Sequence, residues 1–251
     1  MSAIISVQNL VKQYGNFTAV NQLSFEVQAG EIFGLLGPNG AGKTSTLEIL
    51  ETLRPKTSGT IVIDGMNLDK QANDIKKIIG VQLQAAGFYP NLNLKELIEL
   101  FSGLYNVTVD PITLLKQFNL EDKAKNKFKQ LSGGQKQRFS IATTIINQPK
   151  IIFLDEPTTG LDPQARRHLW DLILALKAQG TTVVITTHYM DEAEVLCDTV
   201  AIVEHGTIIA QASPNALIDD LLAKGFERPK AVKAANLEDV FIALTGKAYL
   251  P

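Results

Sequence analysis

Gly37-Pro38-Asn39-Gly40-Ala41-Gly42-Lys43-Thr44 has the spacing G-x-x-x-x-G-K-[ST] of a phosphate-binding loop. Glycines let the backbone curl until several N–H groups converge on one anion. The helix that follows adds partial positive charge at its N-terminus. Lys43 is placed to reach the outer phosphates of a nucleotide, and the Thr44 hydroxyl to ligate Mg2+. The flanks supply the context such a loop requires. Glu31 to Leu36 reads as a strand entering it. Leu47, Ile49, Leu50 and Leu53 share one face of a helix leaving it, which Pro55 is expected to stop.

Outward from the loop, strand and helix patterns alternate. Ile4 to Val7 and Leu23 to Val27 read as strands joined through the turn Gly15-Asn16, and Thr60 to Ile63 runs into the turn Asp64-Gly65. From about residue 92 to 147 the texture changes to helix-period apolar residues with lysines between them. Lys150-Ile-Ile-Phe-Leu-Asp155 returns to a continuous apolar run, the pattern of a strand buried on both faces. Leu169, Leu172, Ile173 and Leu176 mark one face of a long helix that stops at Gly180. Thr181 to Thr187 is another buried strand, and Val200 to Val203 and Thr207 to Ala210 flank a hairpin turn at His205-Gly206. This order predicts an α/β fold: a parallel sheet with helices on both sides, and a helical insertion between two halves of the sheet. The expected domain spans residues 1–218, with the helical part at about 88–147, followed by a short helical tail over 219–251.

Composition narrows the function classes. The 251 residues are 45 % hydrophobic, enough for a sizeable core. With 26 acidic and 24 basic residues the net charge is −2, without the basic excess of a chain that coats nucleic acid. The single cysteine, Cys197, forms no internal disulfide and no cysteine-cluster metal site, which fits a reducing compartment. No signal-peptide pattern and no apolar run of membrane-spanning length are visible.

Two further segments carry chemistry. Asp155 and Glu156 end a buried strand. Asp155 is suited to hold the water shell of Mg2+, and Glu156 to polarise an attacking water. Leu131-Ser132-Gly133-Gly134-Gln135 precedes a helix, and its hydroxyl and free N–H groups make a second anion-binding helix start. One chain thus carries two such starts, which need not serve the same phosphate in the same molecule.

With these motifs in place, residues 4 to 218 resemble the ATP-binding subunit of an ABC transporter. Gly37 to Ser45 resembles that family's Walker A loop, Leu131 to Gln135 its signature, Ile151 to Glu156 its Walker B and Thr159-Gly-Leu-Asp162 its D-loop. His188 resembles the switch histidine. Gln84 resembles the Q-loop glutamine; Gln82 is a rival by proximity, but the spacing to Leu92-Asn-Leu94 favours Gln84. Tyr14 falls where the family places an aromatic that stacks on adenine, with ordinary packing as its other reading. Glu156-Pro-Thr-Thr-Gly-Leu-Asp-Pro163, Thr187-His-Tyr-Met-Asp-Glu-Ala-Glu194 and the tail Leu237 to Gly246 are similar to the ABC-2 type multidrug and polysaccharide exporters.

The resemblance implies a P-loop NTPase (RecA-like) core with a parallel sheet, an N-terminal antiparallel β region and the inserted helical subdomain. It implies ATP and Mg2+ as cofactors, with Thr44, Gln84 and Asp155 toward the metal and Glu156, His188 and Gln84 in catalysis. Nucleotide contacts would come from Tyr14, from Gly37, Pro38, Asn39, Gly40, Ala41, Gly42, Lys43, Thr44 and Ser45, and from Ser132, Gly133, Gly134, Gln135 and Asp162. ATP would lie between Walker A of one copy and the signature of a second copy or a paralogous subunit. Separate membrane permease subunits would hold the pair at the cytoplasmic face of the membrane, with no direct contact to nucleic acid.

Rival readings fit less well. Soluble ABC ATPases that act on nucleic acid or ribosomes usually carry a coiled-coil insertion or two ATPase units, and neither is present here. A module without turnover is expected to lack Glu156. A GTPase is disfavoured because no Asn-Lys-x-Asp string occurs. Phe88 and Tyr89 remain open between packing inside the helical part and lining a groove for a helix of the membrane subunit. Lys123, Lys125, Lys127 and Lys129 read as a solvated face, and His168 and His205 as a helix surface and a turn.

Overall fold

The computed structural model describes residues 3–82 and 87–227. Its first two strands, β1 (Ala3–Tyr14) and β2 (Phe17–Gln28), pair antiparallel across the expected turn, where Gly15 takes a positive φ of 57°. β4 (Ser58–Ile63) pairs with β1, and β5 (Met66–Asn67) closes a four-stranded sheet in the order β2-β1-β4-β5. This is the expected N-terminal antiparallel region.

The second sheet holds β3 (Ile32–Leu36), β6 (Ile79–Gln82), β7 (Ile151–Asp155), β8 (Thr182–Thr187), β9 (Thr199–Glu204) and β10 (Thr207–Ala212). Its order is β10-β9-β3-β8-β7-β6; all neighbours are parallel except the edge strand β10. Strand alternation sorts its side chains into two cores. Ile32, Leu36, Ile152, Leu154, Val183 and Ile185 face one, and Phe33, Leu35, Ile151, Phe153 and Val184 face the other.

The first face is covered by α5 (Gly133–Thr144), α6 (Pro163–Ala178) and α7 (Met190–Leu196), through Phe139, Leu169, Ile173 and Leu196. The second packs on α1 (Lys43–Leu50) and on the antiparallel sheet, whose Ile5, Val7, Ile61 and Ile63 share its core. The expectation of helices on both sides holds. Two helices share that core with a second sheet: α1, and α2 (Leu68–Ile78) through Leu68 and Ile75, join β1 and β4, whose alternating residues supply a ready apolar surface.

The helical insertion runs between β6 and β7, which are neighbours in the sheet. It contains α3 (Leu94–Tyr105) and α4 (Pro111–Gln117) before α5. Each has a local start signal. Asn93 forms a capping box with Glu96, Asp110 caps a helix that opens with Pro111, and Ser132 forms a capping box with Gln135.

Two local expectations change. α1 ends at Leu50 rather than reaching Pro55, because Thr52 adopts a left-handed φ of 62°, and Leu53 is exposed. α2 (Leu68–Ile78) was not anticipated; only Leu68 and Ile75 of it are buried, too few to show a periodic face. The chain divides into two compact units, residues 1–217 and 218–251. α8 (Pro214–Ala223) begins in the first, and the second is described only to residue 227. Leu237 to Gly246 lies outside the described residues. Among the described residues no helix is long and apolar enough to cross a membrane.

Candidate functional site

The phosphate loop follows the C-terminal end of β3, where parallel α/β sheets place their ligands. It is pressed against its neighbours. A Cβ on Gly37 would stand 2.2 Å from the Val203 carbonyl oxygen, and one on Gly42 2.4 Å from that of Ala19. Gly42 also has a φ of 99° at the start of α1, a conformation that favours glycine. Only a bare backbone fits at these two positions.

That cavity, of about 380 Å3, is lined by Tyr14, Asn39, Gly40, Gly42, Lys43, Thr44, Ser45 and Glu156, with Phe17 and Ala19. Lys43 is 4 % exposed, and its ammonium donates to the carbonyls of Gly37 at 2.7 Å and Pro38 at 3.0 Å. Burial lowers its pKa, against the pull of Glu156 and Asp155. Tyr14 lies at the rim with its hydroxyl 3.3 Å from Ser45 Oγ, and Lys12 and Arg54 stand over its ring. Phe17, an exposed aromatic on the same cavity, was missed from sequence. Its only signal is an apolar ring directly after the Gly15-Asn16 turn.

Asp155 and Glu156 sit at the C-terminal end of β7. Asp155 is on the α1 side of the sheet, where Thr44 Oγ1 donates to its Oδ2 at 3.2 Å. Thr186 of β8 also donates to Asp155. Burial raises the Asp155 pKa, while those two hydroxyls oppose it. A hydroxyl and a carboxylate side by side next to a phosphate loop form an oxygen donor set. This chemistry fits a small hard cation that keeps waters and phosphate oxygens as its other ligands.

Glu156 takes a left-handed φ of 46°. Its N–H donates to the Thr186 carbonyl at 3.2 Å and to the Thr186 hydroxyl at 3.0 Å, which fixes the bend. The bend turns the carboxylate toward the cavity. There Oε1 stands 3.2 Å from His188 Nδ1 and 3.7 Å from Lys43 Nζ, and Oε2 accepts from the Thr159 hydroxyl at 3.3 Å. Thr186 therefore orients both acidic residues, a role its place in a buried apolar-looking strand concealed.

Ser132, Gly133, Gly134, Gln135 and Asp162 are not brought to this cavity. They line a separate recess of about 400 Å3 together with His168 and Arg138. No described residue lines both. Ser132 caps α5, receiving the Gln135 N–H at 3.3 Å, and Asp162 caps α6, receiving the Ala165 N–H at 2.8 Å. His168 belongs to this recess, although its sequence setting gave only a helix surface. Gln84 lies outside the described residues.

A larger groove, of about 590 Å3, is lined by Lys150 and Thr181, which precede β7 and β8. It is at the opposite strand ends from the phosphate loop and gathers none of the motif residues.

The family model for ABC transporters matches residues 20–159 of the chain, a stretch that holds the loop, Ser132 and the Asp155-Glu156 pair. The chain belongs to the ABC transporter family. It is 42 % identical over 222 residues to Nod factor export ATP-binding protein I of Burkholderia orbicola, covering 86 % of this chain and 73 % of that one. To the protein of the same name in Burkholderia pseudomallei it is 36 % identical, covering 99 % of each. Among solved structures, the ATP-binding subunit of an ABC transporter superposes with a TM-score of 0.78 at 27 % identity, covering 96 % of this chain and 99 % of that one. A dimeric ATP-binding cassette in a post-hydrolysis state, bound to ADP and phosphate, matches with a TM-score of 0.76 at 28 % identity over 84 % of this chain and 98 % of that one. This ABC protein is thus an ATP-binding, ATP-hydrolysing transporter subunit, with the α/β cassette fold expected from its motifs. The reading as a nucleic-acid or ribosome ATPase is not favoured.

Proposed function

We propose that this ABC ATPase drives an exporter and works as a head-to-tail dimer, with Mg-ATP between the phosphate loop of one subunit and Ser132 to Gln135 of the other. The observation that carries the reading is the Glu156 carboxylate, 3.2 Å from His188 and 3.7 Å from Lys43 in the phosphate-loop cavity, while the Ser132 recess is separate. Two half-sites that do not meet within one chain meet across a pair of chains.

The residues then divide the work. Tyr14, with Phe17 beside it, offers a ring to adenine. The backbone from Gly37 to Ser45 cradles the phosphates, and Lys43 supplies positive charge to their outer oxygens. Thr44 and Asp155 hold Mg2+, with Gln84 assigned to it by the family resemblance. The metal would neutralise charge on the phosphate oxygens. Glu156 takes a proton from the attacking water, and His188 orients that water and the terminal phosphate. Asp162 and Gln135 shape the partner-facing recess.

Relatives named for export support outward transport. The chain would sit at the cytoplasmic face of the membrane through separate permease subunits, without nucleic acid.

The test is Glu156→Gln. The amide cannot accept the proton, so turnover should fall by a factor on the order of a hundred or more while ATP binding persists. Size-exclusion chromatography with Mg-ATP should show a dimer that accumulates. A variant that stays monomeric and hydrolyses ATP at the normal rate sinks the assignment.

A further inference from the structure

Glu192 is wholly buried, yet the site described above does not use it. It sits on α7, whose Ala193 and Leu196 join the core that also holds Leu169 and Ile173 of α6. A carboxyl in such a place costs stability that an apolar residue would not. Its neighbours give a reason for it to be there. Trp170 of α6 donates its indole N–H to Glu192 Oε1 at 3.2 Å. The hydroxyls of Thr158 and Thr187 lie near the carboxyl, but neither is aligned to donate to it: Thr158 Oγ1 and Glu192 Oε2 are both without a hydrogen-bond partner, and Thr187 Oγ1 accepts the Tyr189 N–H. Thr158 lies two residues past Glu156, and Thr187 immediately precedes His188. One buried carboxyl therefore bonds to the helix that follows Asp162, close to the segments that carry Glu156 and His188.

A second tie runs over the first. Arg166, one turn before Trp170 on α6, reaches Asp191 Oδ2 at 3.2 Å, and its guanidinium is 4.6 Å from the Tyr189 ring. Tyr189 in turn lies 4.1 Å from the His188 ring. Tyr189, Asp191 and Glu192 are thus tied to α6, with Glu192 as the buried end of the tie.

We propose that Glu192 is a positioning residue for hydrolysis: by pinning α7 to Trp170 of α6 it holds the segment after His188 in place and so sets the approach of His188 to Glu156. The inference rests on the reading of Glu156 and His188 as the hydrolytic pair. What matters at Glu192 is reach and hydrogen-bonding shape. Burial favours its uncharged form, and the two threonines and Arg166 oppose that. Glutamine keeps the reach and the acceptor for Trp170. Aspartate keeps the carboxyl but falls one methylene short.

The experiment compares Glu192→Gln and Glu192→Asp in the full chain, by steady-state hydrolysis of Mg-ATP and by thermal melting. Trp170 is the only tryptophan of the chain, so its emission reports directly on this contact. Glu192→Gln should stay within threefold of the parent kcat with an unmoved emission maximum. Glu192→Asp should lose at least tenfold in kcat, keep KM within threefold and shift the emission. Equal kcat in both variants, or a glutamine variant weaker than the aspartate one, overturns the proposal. If the aspartate variant does not fold, Trp170→Phe takes its place: it keeps the ring and removes the donor. It should then lower kcat at least threefold at unchanged KM, and unchanged kcat overturns the proposal. Glu156→Gln run alongside tests the underlying reading separately: if it still hydrolyses ATP, the pair assignment fails whatever Glu192 does.

Discussion

Thr44 Oγ1 donates to Asp155 Oδ2 at 3.2 Å, across 111 residues of sequence. The contact joins the first turn of α1 to the end of β7, so the sheet order alone brings the hydroxyl and the carboxylate together. Removing divalent cations with a chelator should abolish hydrolysis, and Mg2+ should restore it. Asp155→Asn should cut hydrolysis by a factor on the order of a hundred, because a neutral amide holds a hard cation poorly. Isothermal titration with ATP, with and without Mg2+, checks the cause. The assignment fails if the asparagine variant still gains affinity from Mg2+ as the parent does.

Glu51 makes stability depend on pH. It is 3 % exposed at the end of α1, with Oε1 unpartnered. Burial first, then the charges of Asp155 and Glu48, push its carboxyl up from 4.5 to about 8. The folded chain keeps a proton there that the unfolded chain releases near pH 4.5. This contribution is complete below that pH and is lost as pH rises toward about 8. Within that window the loss is about 1.4 kcal/mol per pH unit. Glu51→Gln should therefore raise the melting temperature at pH 8.5 by several degrees and change it little at pH 5. Melting curves without nucleotide decide it, and an equal shift at both values refutes the account.

The sequence made some of this legible for identifiable reasons. Glycines at Gly37, Gly40 and Gly42 and the acidic end of β7 are short-range signals, since each residue type is demanded by local backbone geometry or charge. The hairpin turns at Gly15, Gly65 and Gly206 are legible on the same ground. What stayed hidden depends on long-range pairing. No local pattern says that β1 and β4 would cover a face of the parallel sheet, or that Thr186 would point at Asp155. Leu53 matched the helical period, but a left-handed Thr52 ended the helix before it. Phe17 and His168 are ordinary exposed residues until the fold places one on the phosphate cavity and the other beside Ser132.

The separation of the two recesses predicts complementation. Ser132→Arg and Lys43→Ala chains should each hydrolyse ATP poorly alone. Mixed, they can pair to give one intact composite site and one doubly damaged one, with part of the activity returning. Monomeric Ser132→Arg should bind ATP normally, because Ser132 lines no part of its own phosphate cavity. Loss of that binding in fluorescence titration would falsify the arrangement in trans.

Phe88 and Tyr89 separate the two readings left open for their segment. Phe88 is partly buried against the core: its ring lies 4.4 Å from Phe128, 5.1 Å from Phe139 and 6.0 Å from Phe101. Tyr89 is 61 % exposed, next to a groove of about 220 Å3 lined by Phe88, Phe101, Tyr105 and Gln82. An exposed aromatic residue next in the chain to one that lines an aromatic groove, at the junction of sheet and helical insertion, suits an anchor for a partner segment. Tyr89→Ala should leave the melting temperature within about two degrees of the parent, since a surface substitution changes stability little. ATP affinity of the isolated subunit should stay within threefold. Co-purification with the membrane subunit should weaken, or hydrolysis should run without transport. Phe88→Ala is the contrasting control and should lower the melting temperature sharply, because it opens a hole among three aromatic rings. If Tyr89→Ala instead melts early while partner binding and coupling stay intact, Tyr89 supports the helical part rather than the interface.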